Sequence, residues 1–231
     1  MDTNAVEAER ATSLLDAQKK AARLFAEIER DLIRPGISEK DLTKAIHDLG
    51  AKRYGIRTHW HKRVARSGPN TLMPYDESTP DRIIEPDDIV FIDLGPVFEA
   101  WEADLGRTYV LGDDPIKKRL RDSTESVWHQ VKLCYLENPD MTGGELYDIA
   151  CDRAQVAGWE FGGTIAGHLV GSFPHERIPR DKMTLYITKG NNQSMSLPSA
   201  DGKKRHWILE IHLVDRERQI GGFFEQLLTG L

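Results

Sequence analysis

Apolar residues recur at three- and four-residue steps among charged ones from residue 4 to residue 33, the period of a helix with one buried stripe, here Leu14, Leu15, Ala22, Phe25 and Ile28. Pro35-Gly36 breaks the pattern. Ser38, with Asp41 three residues on, predicts an N-cap and its capping-box acid, and the helix they open ends near Tyr54-Gly55. Residues 57–66 read as extended. The stretch SGPNTLMPYDESTPDR, crowded with Pro, Asn, Asp and Ser, reads as loop. From Asp88 the pattern turns to strands: residues 89–92 are an apolar run, 97–101 a short extended piece, and 107–111 a returning strand. Pro115 stands in the first turn of a helix over 115–136. Asn138-Pro139 separates it from another, which Thr142 and Glu145 cap and which runs to about Ala157. Beyond Gly158, short strands alternate with Gly- and Pro-rich turns. The order of two helices, a strand group, two helices and a strand group hints at two similar halves, although no sequence repeat marks them.

Composition narrows the possible partners. A chain of 231 residues is long enough for one sizeable core or two small ones, and 29% charged with 8% aromatic residues is ordinary for a folded protein. A net charge of −6 gives no support for a nucleic-acid partner. The run Lys203-Lys204-Arg205 reads as a solvated turn. No apolar stretch is long enough to span a bilayer, and the polar, acidic start is unlike a signal peptide. Cys134 and Cys151 make no disulfide framework, so a reducing, cytoplasmic setting is the expectation.

The chemistry lies in four segments. FIDLGPVFEAWEADLGRT carries Asp93 and Asp104, GHLVGSFPHE carries His168 and His175, WILEIHL carries Glu210, and GGFFEQLL carries Glu225. A carboxylate rarely enters an apolar strand unless a charge or a metal meets it there. Asp93 and Asp104, on what read as adjacent strands, reach one spot if those strands pair antiparallel. Glycines beside His168 would let the backbone approach a metal closely. A salt bridge to a buried arginine is the alternative for Glu210 and Glu225. Four carboxylates and one imidazole suit two divalent cations of the Mn, Fe, Co or Zn kind, which together activate a shared water. His175 is then left to hydrogen-bond substrate or the tetrahedral intermediate.

These segments resemble the pita-bread metallohydrolases, the superfamily of methionine aminopeptidase, Xaa-Pro aminopeptidase, prolidase and creatinase. VFIDLGPVFEAWEADLGRTYVLG is similar to its strand pair with two Asp ligands. GHLVGSFPHE is similar to its Gly-His-Gly-x-Gly…His-Glu segment, with Leu169 for the middle Gly, and SGPNTLMPY to its Gly-x-Asn-x-x-x-Pro-His loop. The resemblance covers roughly residues 40–228. It implies an α+β fold, a curved antiparallel sheet in two pseudo-symmetric halves with helices on the outer face. It also implies one catalytic domain over 1–231, with residues 1–36 an N-terminal helix, 37–231 the core, and no creatinase-type N-terminal domain. By the same resemblance Asp93 chelates one metal, Asp104 and Glu225 bridge, His168 and Glu210 complete the second site, and His175 faces the substrate. A homodimer is a further implication, with the N-terminal helix able to supply an interface.

The departures bear on substrate. Tyr75 stands where the family usually has a histidine, and a phenol can donate a hydrogen bond but is a poor base at neutral pH. Glu210-Ile211-His212 replaces the family's Glu-Pro-Gly and sets an imidazole on the face of Glu210, either to support another residue or to meet substrate. His59 and His61 read as surface or strand-packing residues. Phe223 and Phe224 would make the wall before the last ligand apolar. The reading is a metal-dependent hydrolase, aminopeptidase-like, acting on a small peptide or peptide-like amide. The alternatives are a metalloenzyme of this fold acting on a non-peptide small molecule, by creatinase-like or iron-dependent chemistry, and a non-catalytic binding module.

Overall fold

The computed structural model describes residues 3–173, 183–199 and 201–229. Helix α1 (Thr3–Asp31) leads into α2 (Glu39–Tyr54) and strand β1 (Val64–Ser67). After a long loop come β2 (Ile89–Leu94), the short strands β3 (Val97–Phe98) and β4 (Trp101–Glu102), and β5 (Leu105–Val110). Helices α3 (Pro115–Glu137) and α4 (Gly143–Val156) follow. The chain closes with β6 (Glu160–Phe161), β7 (Ile165–Val170), β8 (Tyr186–Thr188), β9 (His206–Asp215) and β10 (Ile220–Leu227).

The helix starts are set locally. Ser38 Oγ accepts from the Asp41 N–H at 3.1 Å, and Gly55 ends α2 in the left-handed region at φ 66°. Asp114 caps α3 by accepting from the Ile116 and Lys117 N–H groups, with Pro115 following it. Thr142 and Glu145 form the reciprocal capping box of α4.

The main sheet is antiparallel and runs β1-β2-β5-β10-β9-β7-β8, with β6 added alongside β9. Helices α1 and α2 cover the first half: Ala21, Leu24, Ile28, Leu42 and Ile46 pack on Val90, Ile92 and Leu105. Helices α3 and α4 cover the second half: Leu120, Trp128, Val131 and Leu146 pack on Leu209, Ile211, Leu213 and Phe224. Fully buried Trp128 ties the two layers together, its indole Nε1–H donating to the Leu209 carbonyl at 2.8 Å. Because side chains alternate along a strand, the residues between these core positions face away from the helices. Phe91 and Asp93 on β2, Glu210 and His212 on β9, and Phe223 and Glu225 on β10 therefore line one cavity.

Several sequence expectations need correction. The buried stripe of α1 is Leu14, Ala17, Ala21, Leu24, Phe25 and Ile28, whereas Leu15 is half-buried and Ala22 exposed. The extended 57–66 stretch joins the sheet only from Val64, in a strand that runs on to Ser67, and the loop after it begins with a 3₁₀ turn at Gly68–Leu72. Residues 97–101 are not one strand: β3 and β4 form a hairpin whose turn residue Glu99 takes φ 58°. Arg205, read as part of a solvated turn, is buried.

Gly167 serves the sheet. Its φ is 141°, it lies at a register shift in the β7–β8 pairing, and an added Cβ would lie 2.0 Å from the Ile208 carbonyl oxygen. The irregularity puts His168 on the cavity side although Ala166, two residues earlier, packs among the helices. Gly167→Ala is expected to destabilise the protein by about 2 kcal/mol or more, since the opposing atom is backbone. Trp128→Ala should cost about 3–5 kcal/mol. Urea unfolding followed by far-UV circular dichroism measures both.

Candidate metal centre

One transverse row of the sheet sets the site. Asp93 pairs with Gly106, Gly106 with Glu225, and Glu225 with Glu210, so three carboxylates from β2, β10 and β9 project at one level across four consecutive strands, with Gly106 of β5 between the first two. The glycine in the middle keeps the row open. A Cβ on Gly106 would lie 2.3 Å from the Phe223 ring. Asp104 comes in from the turn just before β5, and His168 from β7.

The five residues expected as ligands all line a cavity of about 320 Å³. His168 Nε2 stands 3.0 Å from Asp104 Oδ2 and 3.7 Å from Glu225 Oε1. Its Nδ1 lies 2.9 Å from the Leu169 carbonyl, which keeps a proton on Nδ1 and turns Nε2 toward the cavity. Asp93, Asp104 and Glu225 are buried, while Glu210 keeps partial exposure. No arginine or lysine ion pair reaches any of the four among the described residues, so the salt-bridge alternative for Glu210 and Glu225 does not hold.

Electrostatics follow from this crowding. Burial pushes the Asp93 carboxyl up, with Asp104 and Glu210 adding to the rise against the pull of a nearby histidine, His61. Burial likewise raises Glu225, with Asp104 and Asp93 as further causes. Glu210 goes well above the carboxylate range, through burial and then the charge of Glu225. Asp104 moves the other way: burial would raise it, but His61 and His168 on its two sides outweigh that. Asp93 Oδ1 and Glu225 Oε2 are buried and accept no hydrogen bond. Buried carboxylate oxygens without a donor, beside an imidazole nitrogen turned toward the same acids, are what a divalent cation satisfies. The donor set thus fits the metals that the sequence pattern implied.

His61 is the residue that sequence reasoning missed. Read as a surface or packing residue, its side chain is only 8% exposed and lies among the acids, with Nε2 3.1 Å from Asp104 Oδ1 and 3.5 Å from Asp93 Oδ1. Burial pulls its pKa down, but Asp104 and Asp93 prevail and raise it to about 10. The signal lay in Gly95, where a Cβ would stand 2.2 Å from the His61 ring and 2.4 Å from Trp60 Nε1. That glycine lets residues 59–61 lie against the end of β2, where Trp60 N–H donates to Gly95 O at 2.9 Å. His59 does behave as a packing residue, its ring 6.3 Å from that of His47.

Tyr75 stands at the cavity mouth, 45% exposed, its oxygen accepting from the Lys62 N–H at 3.1 Å. Burial of its inner side raises its pKa. His212 lies in the cavity wall between Phe91 and Phe223, and its Nε2–H donates to the Thr71 carbonyl at 2.8 Å. Burial lowers it to about 4, so it is neutral at pH 7. Of the expected phenylalanine wall only Phe223 faces the cavity. Phe224 alternates to the other face, packs on Trp128 and lies under the Arg107 guanidinium. His175 lies outside the described residues. No helix among the described residues is long and apolar enough to cross a membrane.

Comparison with known proteins agrees with this architecture. The chain is 25% identical over 147 residues to a Xaa-Pro dipeptidase of Lactobacillus helveticus, an alignment covering 63% of this chain and 39% of the relative. It thus spans about two fifths of that curated protein's length. Among solved structures it shares its fold with the prolidase of Pyrococcus horikoshii, at TM-score 0.71 and 20% identity, over 95% of this chain and 58% of that one. It also matches the methionine aminopeptidase of Rickettsia prowazekii, at TM-score 0.68 and 17% identity, over 94% and 91% of the two chains. These likenesses make the fold the α+β pita-bread arrangement. The model of metallopeptidase family M24 matches residues 12–197, most of the chain, and the protein belongs to that family.

Proposed function

We propose that this protein is a two-metal peptidase that hydrolyses an amide bond in a small peptide or peptide-like substrate. The observation that carries the reading is the row of Asp93, Glu225 and Glu210 on neighbouring strands, closed by Asp104 and His168, with two buried carboxylate oxygens that no protein donor satisfies. In this reading Asp93, Asp104, His168, Glu210 and Glu225 would hold the divalent ions, with Asp93 serving one, His168 and Glu210 the other, and Asp104 and Glu225 shared, and the ions would be drawn from Mn, Co, Fe and Zn. Such a pair, when bound, supplies Lewis-acid activation of a water and of the scissile carbonyl. The matched proteins named as a dipeptidase and an aminopeptidase support a peptide substrate.

The chain's own residues supply orientation and exclusion of water. Tyr75 accepts from Lys62 and so keeps its own O–H for a substrate oxygen or the departing amine. Its raised pKa keeps that proton in place at neutral pH. His212 has committed Nε2 to Thr71, so a role at the substrate falls to its Nδ1 edge and ring face. Phe91, Phe223 and Trp60 give the cavity apolar walls that suit a nonpolar side chain next to the scissile bond. His175 is assigned the hydrogen bond to the developing oxyanion on the sequence pattern alone.

Hydrolysis of a panel of short peptides, including Xaa-Pro and N-terminal Met substrates, should be abolished by a chelator and restored by Mn or Co. Asp104→Ala should lower kcat/KM by about 10³-fold or more. Chelated protein should also melt at a lower temperature than protein with metal restored, because the ion binds only the folded arrangement. Absence of metal-dependent turnover across the panel would overturn the proposal. Tyr75→Phe should reduce kcat by about tenfold or more with little change in KM, as expected for a donor that acts in the transition state. A raised KM with kcat unchanged would assign Tyr75 to ground-state binding instead.

A further inference from the structure

The two imidazoles of the centre are arranged alike around one carboxylate. His168 Nε2 approaches Asp104 Oδ2 at 3.0 Å, and His61 Nε2 approaches Asp104 Oδ1 at 3.1 Å. Each ring has its Nδ1 against the carbonyl of the next residue, Leu169 at 2.9 Å and Lys62 at 2.6 Å. That contact keeps a proton on Nδ1 and points Nε2 at the acids, where a bound ion would take the place of the Nε2 proton, as in metal-ligating histidines with a carbonyl behind Nδ1. The indole of Trp60 stands edge-on to both rings, 4.5 Å from His61 and 5.0 Å from His168 by centroid. Its Nε1–H donates to the Ala103 carbonyl, next to Asp104, which locks the arrangement.

The spacings are those of donors around one ion. At metal–ligand lengths of about 2.1 Å, donors lie about 3.0 Å apart at right angles and about 3.4 Å apart in a tetrahedron. His61 Nε2 lies 3.1 Å from Asp104 Oδ1 and 3.5 Å from Asp93 Oδ1, and Asp93 Oδ1 is one of the two buried oxygens that accept no hydrogen bond. By contrast His212, in the same cavity, has spent its Nε2 on Thr71 and is excluded as a ligand through that atom.

We infer that His61 is a sixth protein ligand of the centre, donating Nε2 to the ion held by Asp93 and Asp104, so that each ion has one imidazole. This rests on the two-metal reading above. Its consequence is selectivity. Without His61 the Asp93 site has only oxygen donors, which suit Mn and Mg. A nitrogen donor there steepens the preference for Co and Zn over Mn.

The test is metal binding by the chelated, full-length chain, read by titration calorimetry with Co(II), Zn(II) and Mn(II) and by the visible absorption of Co(II). Variants are His61→Ala, His168→Ala and, as a control outside the centre, His59→Ala. The wild type and His59→Ala should take up two Co(II). His61→Ala should lose about tenfold or more in affinity at one of the two sites, with an altered Co(II) spectrum and a smaller loss for Mn(II). If His61→Ala does not fold, X-ray absorption of the Zn-loaded wild type gives the answer directly: one imidazole per zinc supports the inference, and one imidazole per two zincs overturns it. Unchanged affinity and spectrum in His61→Ala, with loss in His168→Ala, overturns this inference alone. A wild type that takes up no metal removes the two-metal reading and this inference together.

Discussion

Mutual repulsion among carboxylates held out of water is the constraint to which this structure is built. Asp93, Glu225 and Glu210 sit on one row of the sheet, with Gly106 between the first two, and Asp104 closes on them from the turn before β5. Each would be costly in such a place alone, and together they also repel one another. The protein answers in part with His61 and His168, which flank Asp104 and hold its carboxyl below the usual range while Glu210 and Glu225 are driven upward. Two buried oxygens are still left without donors. An arrangement that is unfavourable to fold as bare protein, and that bound cations would relieve, would couple metal affinity to stability.

The layers behind the row hold it in place. Antiparallel pairing fixes the register, and a slip of one residue on β9 or β10 would send Glu210 or Glu225 into the helix-facing core. What opposes such a slip is the packing of the alternate residues: Leu209, Ile211 and Phe224 are locked against Trp128 and its neighbours on α3. The two halves of the sheet meet at β5 and β10, each with its own helix pair, and the cavity lies over that junction. Helix packing on one face thus determines which acids meet on the other.

Small residues make the cavity's close contacts possible. Gly106 lets Phe223 lie across the row, Gly95 lets Trp60 and His61 come down beside Asp93, and Gly167 brings β7 against β9 so that His168 reaches Asp104. Each position shows the same physical trade, in which the absence of a Cβ is used to bring a bulky or functional side chain from elsewhere into contact.

How much of this was legible in the chain depends on the distance over which each feature is decided. The helices were legible, because caps such as Ser38 and Thr142 and the three-to-four-residue period act within a few positions. The face shared by Glu210 and His212 was legible too, because strand alternation is local. The four acids and His168 stood out as chemically costly residues in apolar or glycine-flanked settings. His61 and Phe224 were misjudged. A histidine in an irregular segment has no period to reveal its direction, and two adjacent phenylalanines must face opposite ways once the strand is paired. Likewise the glycine before His168 suggested a close metal approach, whereas Gly167 serves strand pairing. The residue pattern alone was enough to single out acids and a histidine as candidate cation ligands and to place them on their strands. That His61 lies among these acids depends on the contact of its segment with Gly95, more than thirty residues away, and no local interaction encodes it.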